Sequence, residues 1–143
     1  MNGHMKPADI EKRSFAIITE ELGSRTFPDG IAEVVKRVIH TSADFDYADN
    51  LVFSDGVVER ALAALREGAC IVTDTQMAKA GINKKRLGQY GGEVYCFMSD
   101  EDVAQAAKEN GTTRAAACMD KAAGLHGKEK LIFAVGNAPT ALV

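Results

Sequence analysis

The residues best suited to moving a proton sit in RVIHTSADFDYADN, residues 37–50. His40 stands there between an apolar helical stretch and a run of hydroxyls and carboxylates, and it is one of three histidines in the chain. An imidazole titrates near neutral pH, and its protonated form is favoured at a helix C-terminus or beside carboxylates such as Asp44 and Asp46. Such a group can donate and recover a proton during a reaction. A helix-capping histidine is an equally good account of the same residues. His126, in the Gly-flanked GLHGK, and His4, in the opening MNGHM, have no comparable setting.

A second group of residues points to anions. NGTTRAAA places Arg114 in the first turn of a predicted helix, where a cation opposes the helix dipole. Local stability does not explain it. An anionic ligand does, because helix N-terminal amides and a guanidinium can bind one carboxylate together; a salt bridge at a sheet rim is the alternative. GINKKRLG gathers Lys84, Lys85 and Arg86, with Lys79 nearby, and reads either as a solvated basic loop or as a landing site for a carboxylate-rich ligand. GNAPT follows an apolar run but is neither GxGxxG nor a Walker loop, so its simpler reading is a strand-to-helix turn with Pro139 in the first turn. No serine elbow, Cys/His dyad, HExxH or EF-hand pattern occurs, so hydrolase and metalloenzyme readings have no anchor and no metal ligands are assigned.

These residues need elements to hold them. Residues 6–24 read as a helix with Pro7 in its first turn and Gly23 at its stop, and 28–40 as a second with an Ile31, Val34, Val35, Val38, Ile39 stripe. Residues 55–68, 99–111 and 112–124 read as further helices. The apolar runs ACIVTD, EVYCFM and KLIFAVG read as strands, and NAPTALV begins something helical. Continuous apolar strands separated by helices indicate a parallel sheet covered on both faces, joined by right-handed crossovers. The expected fold is a single α/β domain, residues 1–143, with a helical N-terminal lead. In such sheets ligands bind beyond the carboxyl ends of the strands. TDTQ (73–76), SDED (99–102) and GNAPT (136–140) would meet at that edge.

Composition narrows the function classes. A net charge of −3 argues against general nucleic-acid binding. No run of about 18 apolar residues is present, so no spanning helix is expected. No charged-then-apolar leader precedes the fold, and three cysteines without metal spacing read as buried thiols in a reducing cytoplasm. MNGHM reads as an expression scar.

IEKRSFAII, VIHTSADFDYADNLVFS, GACIVTDTQMAKAGINK, GGEVYCFMSDEDVAQAAKENGTTRAAA and IFAVGNAPTALV together resemble the precorrin-8X methylmutase family, more closely its cobalt-precorrin-8 branch. The resemblance runs from about residue 6 to the last residue. It implies a flavodoxin-like three-layer sandwich, a homodimer, no organic cofactor, and an isomerase of cobalamin biosynthesis that moves a methyl group from C-11 to C-12 of a corrinoid precursor. Cobalt would enter as part of that substrate. The family's catalytic histidine falls on His40, its substrate-contacting serine on Ser14 and its arginine on Arg114. A flat apolar ring edged with carboxylates asks for cations such as Arg13, Lys84 and Arg114, and for aliphatic walls such as Met77 and Ala78. Thr41, Ser42, Thr73, Asp74, Thr75, Thr113 and Asn137 complete the expected binding set. Family members continue beyond the equivalent of NAPTALV, so the resemblance also implies a chain lacking the C-terminal third. Two other functions stand beside the enzyme: a corrinoid-precursor binder without turnover, and a generic anion- or nucleotide-binding α/β module.

Overall fold

A computed structural model describes residues 6–125, 127 and 130–143. The expected scar with His4, and also His126, lie outside the described residues. Two compact units divide the chain, Met1–Glu59 and Arg60–Val143.

The first unit is helical. α1 (Pro7–Leu22) begins with proline, whose missing N–H costs nothing in a first turn, and stops at Gly23, which takes φ 60°. α2 (Ile31–Ser42) starts after Gly30, whose φ of 81° bars an earlier start, and so begins three residues later than the sequence predicts. It also runs two residues past His40. The Thr41 and Ser42 hydroxyls explain this by donating to the Arg37 and Val38 carbonyls at 2.9 and 2.8 Å. The two helices bury Ile18 and Leu22 against Val35 and Ile39, with Phe27, Ile31, Phe45 and Phe53 packed around them. Val35 and Ile39 are each 1% exposed, and burial of such side chains contributes about 1.5–3 kcal/mol apiece. A short α3 (Tyr47–Asn50), which apolar periodicity does not reveal, follows a turn in which the Asp46 N–H donates to Asp44 Oδ1 at 2.9 Å.

α4 (Val57–Arg66) leads into the second unit. Its sheet holds β1 (Cys70–Thr73), β2 (Val94–Tyr95) and β3 (Leu131–Ala134) in the order β2-β1-β3, all parallel. Ile71 pairs with Val94 on one side and Ile132 on the other. Among the described residues only β1 has neighbours on both sides, and it carries the buried Cys70 and Val72. The expectation of strands covered on both faces fails at β3, where Phe133 is 47% exposed. β2 is shorter than the predicted run, because Phe97 and Met98 leave the ladder to pack on the hairpin of α7 (Glu101–Glu109) and α8 (Arg114–Ala123). That hairpin buries Val103 and Ala107 against Ala117 and Cys118. Gly92 lets the chain enter β2, since a Cβ there would collide with the Ala69 carbonyl.

The basic segment is helical rather than a loop. α5 (Gln76–Gly81) is capped by Thr75 Oγ1, which accepts from the Ala78 N–H at 3.1 Å. α6 (Lys84–Gly88) is capped by Asn83 Oδ1, which accepts from the Arg86 N–H at 3.0 Å. Each cap satisfies a backbone donor that a short helix would otherwise leave free. A 3₁₀ turn, Pro139–Leu142, follows β3, as the GNAPT reading expects. All three cysteines are buried and outside any disulfide, and burial pushes the Cys118 thiol up to about 11.

Candidate active site

Ser14 and His40 line one cavity of about 190 Å³ in the first unit. α1 contributes Ser14, Ile17 and Ile18, α2 contributes Ile39 and His40, and Ala43 and Phe45 close it from the turn after α2. The spacing does this: Ser14 and Ile18 are one turn apart on α1, so the hydroxyl and the core-facing chain share a side. The buried Ile39 anchors α2 and leaves the next residue, His40, at the cavity rim, where it is exposed. The Phe15 ring lies 5.3 Å from the imidazole, centroid to centroid, tilted by 33°. Among the described residues no hydrogen bond or ion pair engages the imidazole nitrogens. The arrangement offers one imidazole, the Glu21 carboxylate, one hydroxyl and an aliphatic floor.

Ala43 is the only non-glycine described with positive φ, at 57°. It ends α2 in the left-handed conformation, its N–H donating to the Ile39 carbonyl at 2.7 Å. That conformation costs an L-residue roughly 1–2 kcal/mol, and glycine is the ordinary occupant of this position. Replacing Ala43 by glycine should therefore stabilise the protein by about 0.5–1 kcal/mol in urea unfolding. A loss of stability instead would show that the alanine methyl packs usefully in the cavity.

The second unit gathers the strand-end residues. Asp74 is fully buried at the end of β1, and its Oδ2 accepts three backbone N–H groups, from Gly136 at 3.1 Å, Asn137 at 2.8 Å and Ala138 at 2.9 Å. Burial works to raise its pKa, but these hydrogen bonds more than offset it, and the carboxyl is held below its ordinary 3.8. Oδ1 is buried without a hydrogen-bond partner among the described residues. Thr73 is also fully buried and donates to the Thr75 carbonyl at 3.0 Å. Gln76 Nε2 donates to Ser99 Oγ at 3.2 Å. The three strand-end turns thus meet at one edge, as the topology predicts, and Asn137 stands exposed there with its backbone held by Asp74.

The remaining expected residues have mixed settings. Thr113 caps α8 by accepting from the Ala116 N–H at 3.1 Å and bonds Thr140 Oγ1 at 3.0 Å. Arg114 follows it, exposed, with no ion pair among the described residues. Arg13 is exposed on α1. Lys84 is exposed too, but its ammonium donates to the Lys79 carbonyl at 2.6 Å and steadies α5 and α6. Met77 is 85% exposed and Ala78 partly buried. Sequence reasoning does not single out Phe15 or Ala43. The i,i+3 pair Arg37 and His40, opposite the i,i+4 pair Glu11 and Phe15, is the signal that could have pointed to the first.

The profile of the precorrin-8X methylmutase family matches residues 9–143. A cobalt-precorrin-8 methylmutase from Priestia megaterium is 43% identical over 97% of this chain and 61% of its own length. One from Salmonella typhimurium is 46% identical over 96% of this chain and 67% of its own. The crystal structure of a precorrin-8x methyl mutase from Thermus thermophilus superposes with a TM-score of 0.81 at 38% identity, covering 93% of this chain and 64% of that one. The chain therefore spans about 61% of the Priestia relative's length. A match through both units, in sequence and in fold, places this chain in the precorrin-8X methylmutase family.

Proposed function

We propose that this chain carries the methyl migration its relatives are named for, moving a methyl group from C-11 to C-12 of cobalt-precorrin-8 with His40 as proton donor and acceptor. The supporting observation is the cavity that brings Ser14 and His40 together within the family-matched residues. The migration is a rearrangement within one molecule, so it needs no nucleophile and no co-reactant. The protein's task is to hold the reactive tautomer and to supply or remove a proton as charge shifts over the ring. At about 190 Å³, the cavity is smaller than the roughly 300–1,000 Å³ of pockets that enclose drug-sized ligands. It suits one edge of a macrocycle, with His40 at the rim and Ser14 as hydrogen-bond partner. Taken within their own units, the exposed Arg13, the exposed Arg114 and the side-chain amide of Asn137 each suit a carboxylate.

Cobalt arrives within the substrate in this reading, the assembly is a homodimer, and the compartment is the cytoplasm. Among the described residues no helix is long and apolar enough to cross a membrane. A second reading rests on the 61% span of the Priestia relative: the chain binds the precursor without converting it. Mixing the protein with cobalt-precorrin-8 and following the visible spectrum separates the two. A time-dependent change to the product chromophore is expected. A static, saturable shift would favour the binder, and no spectral response would end both readings.

A further inference from the structure

Four side chains on α1 and α2 form a continuous stack that ends on His40. Glu11 Oε1 accepts from Arg37 Nη2 at 2.6 Å. The Arg37 guanidinium carbon lies 4.7 Å from the Phe15 ring centroid, and the Phe15 ring lies 5.3 Å from the His40 imidazole. Glu11 and Phe15 are one turn apart on α1, as are Arg37 and His40 on α2, so two adjacent rungs face each other across the helix pair.

We propose that Phe15 is the positioning residue of His40, clamped in turn by Arg37 and Glu11. This inference rests on the reading of His40 as the proton carrier. Stability is a poor account of the stack. Both members of the ion pair are about half exposed, at 57% and 47%, and such pairs contribute little. Phe15 is only partly buried and stands outside the buried cluster of Ile18, Leu22, Val35 and Ile39.

The stack does solve a problem that His40 poses. An exposed imidazole in the last turn of a helix can sample several rotamers, whereas proton transfer needs one. A hydrogen bond to a ring nitrogen would fix the ring but occupy a position the chemistry needs. Contact with an aromatic face fixes the plane and leaves both nitrogens free. Cation–π attraction to Arg37 holds the Phe15 ring in turn, and Glu11 holds Arg37.

The test compares Phe15→Leu, Phe15→Tyr and Arg37→Met in the full chain by two readouts. One is the proton NMR position of the His40 ring, identified among three histidines by its loss in His40→Ala. The other is kcat against KM on cobalt-precorrin-8. Phe15 should shift the His40 signals by its ring current, and Phe15→Leu should remove that shift while Phe15→Tyr keeps it. Phe15→Leu should lower kcat about tenfold with KM nearly unchanged, Phe15→Tyr should recover most of the loss, and Arg37→Met should fall between. His40 signals unmoved by Phe15→Leu would overturn the proposal whatever the activity. So would an unchanged kcat once the ring-current shift is lost, or an equal loss in both ring variants. If the parent protein converts nothing while the shift behaves as expected, the positioning stands and the methylmutase reading fails.

Discussion

His40→Ala should lower the rate of cobalt-precorrin-8 conversion by about 10²–10⁴-fold, the usual contribution of a positioned general acid or base, while leaving precursor affinity within a few-fold. The two halves of this expectation have separate causes. His40 sits at the rim of a small cavity whose floor is Ile17, Ile18 and Ile39, so removing the imidazole leaves the apolar surface in place. A macrocycle bearing many carboxylates draws its affinity from contacts spread over a wide area, of which one imidazole is a small share. On the proposed mechanism the rate depends instead on a proton reaching or leaving one ring position, and His40 is the one imidazole among the described residues that line the cavity. Glu21 also lines it, and His40→Ala leaves that carboxylate in place. Stopped visible spectra under single-turnover conditions separate binding amplitude from conversion rate. Conversion at the parent rate would remove His40 from the mechanism. A lost binding amplitude would make it a structural or affinity residue instead.

Much of the helix pair around the candidate site is legible in the sequence. Pro7, Gly23 and the apolar stripe of 31–39 fix two helices through local rules of capping and periodicity, and local rules transfer well. The place of His40 near a helix end could be read from the sequence, and the family resemblance brought Ser14 into view. What escaped was tertiary. Phe15 looks like any helical aromatic until α2 lies across it. The run EVYCFM is apolar for two different reasons: Val94 and Tyr95 pair with β1, while Phe97 and Met98 turn away to the α7–α8 hairpin. The short α5 and α6 were hidden because their caps, Thr75 and Asn83, are turn residues as often as helix starters. Asp74 stands out in sequence as a strand-end carboxylate. Its partners lie 62 to 64 residues further on, a distance that no spacing rule spans.

The Asp74 arrangement carries the largest stability effect expected of a single substitution in the second unit. One buried carboxylate oxygen gathers three consecutive N–H groups and so ties the end of β1 to the turn after β3. Asp74→Ala should cost about 3 kcal/mol or more of unfolding free energy, because it strands several donors that the fold presents to an acceptor. Asp74→Asn is the sharper variant. Its amide oxygen can still accept from the turn, but its NH₂ group must enter the space where Oδ1 has no partner, leaving a buried donor unsatisfied. The pH dependence has a definite sign. The folded carboxyl titrates below its ordinary 3.8, so folding favours the ionised form. That contribution is fully present above the unfolded value and is lost as pH falls through the lower, folded one. The gap in stability between the parent and Asp74→Asn should accordingly be widest near neutral pH and narrow below about pH 4. Urea unfolding at a series of pH values measures it. A gap constant across that range would mean that the turn is held by shape rather than by charge, and a gap growing in acid would reverse the assignment. The turn it holds presents Asn137 at the carboxyl edge of the sheet. A loss of precursor affinity in Asp74→Asn that exceeds its loss of stability would tie this buried carboxylate to the shape of the ligand-facing edge.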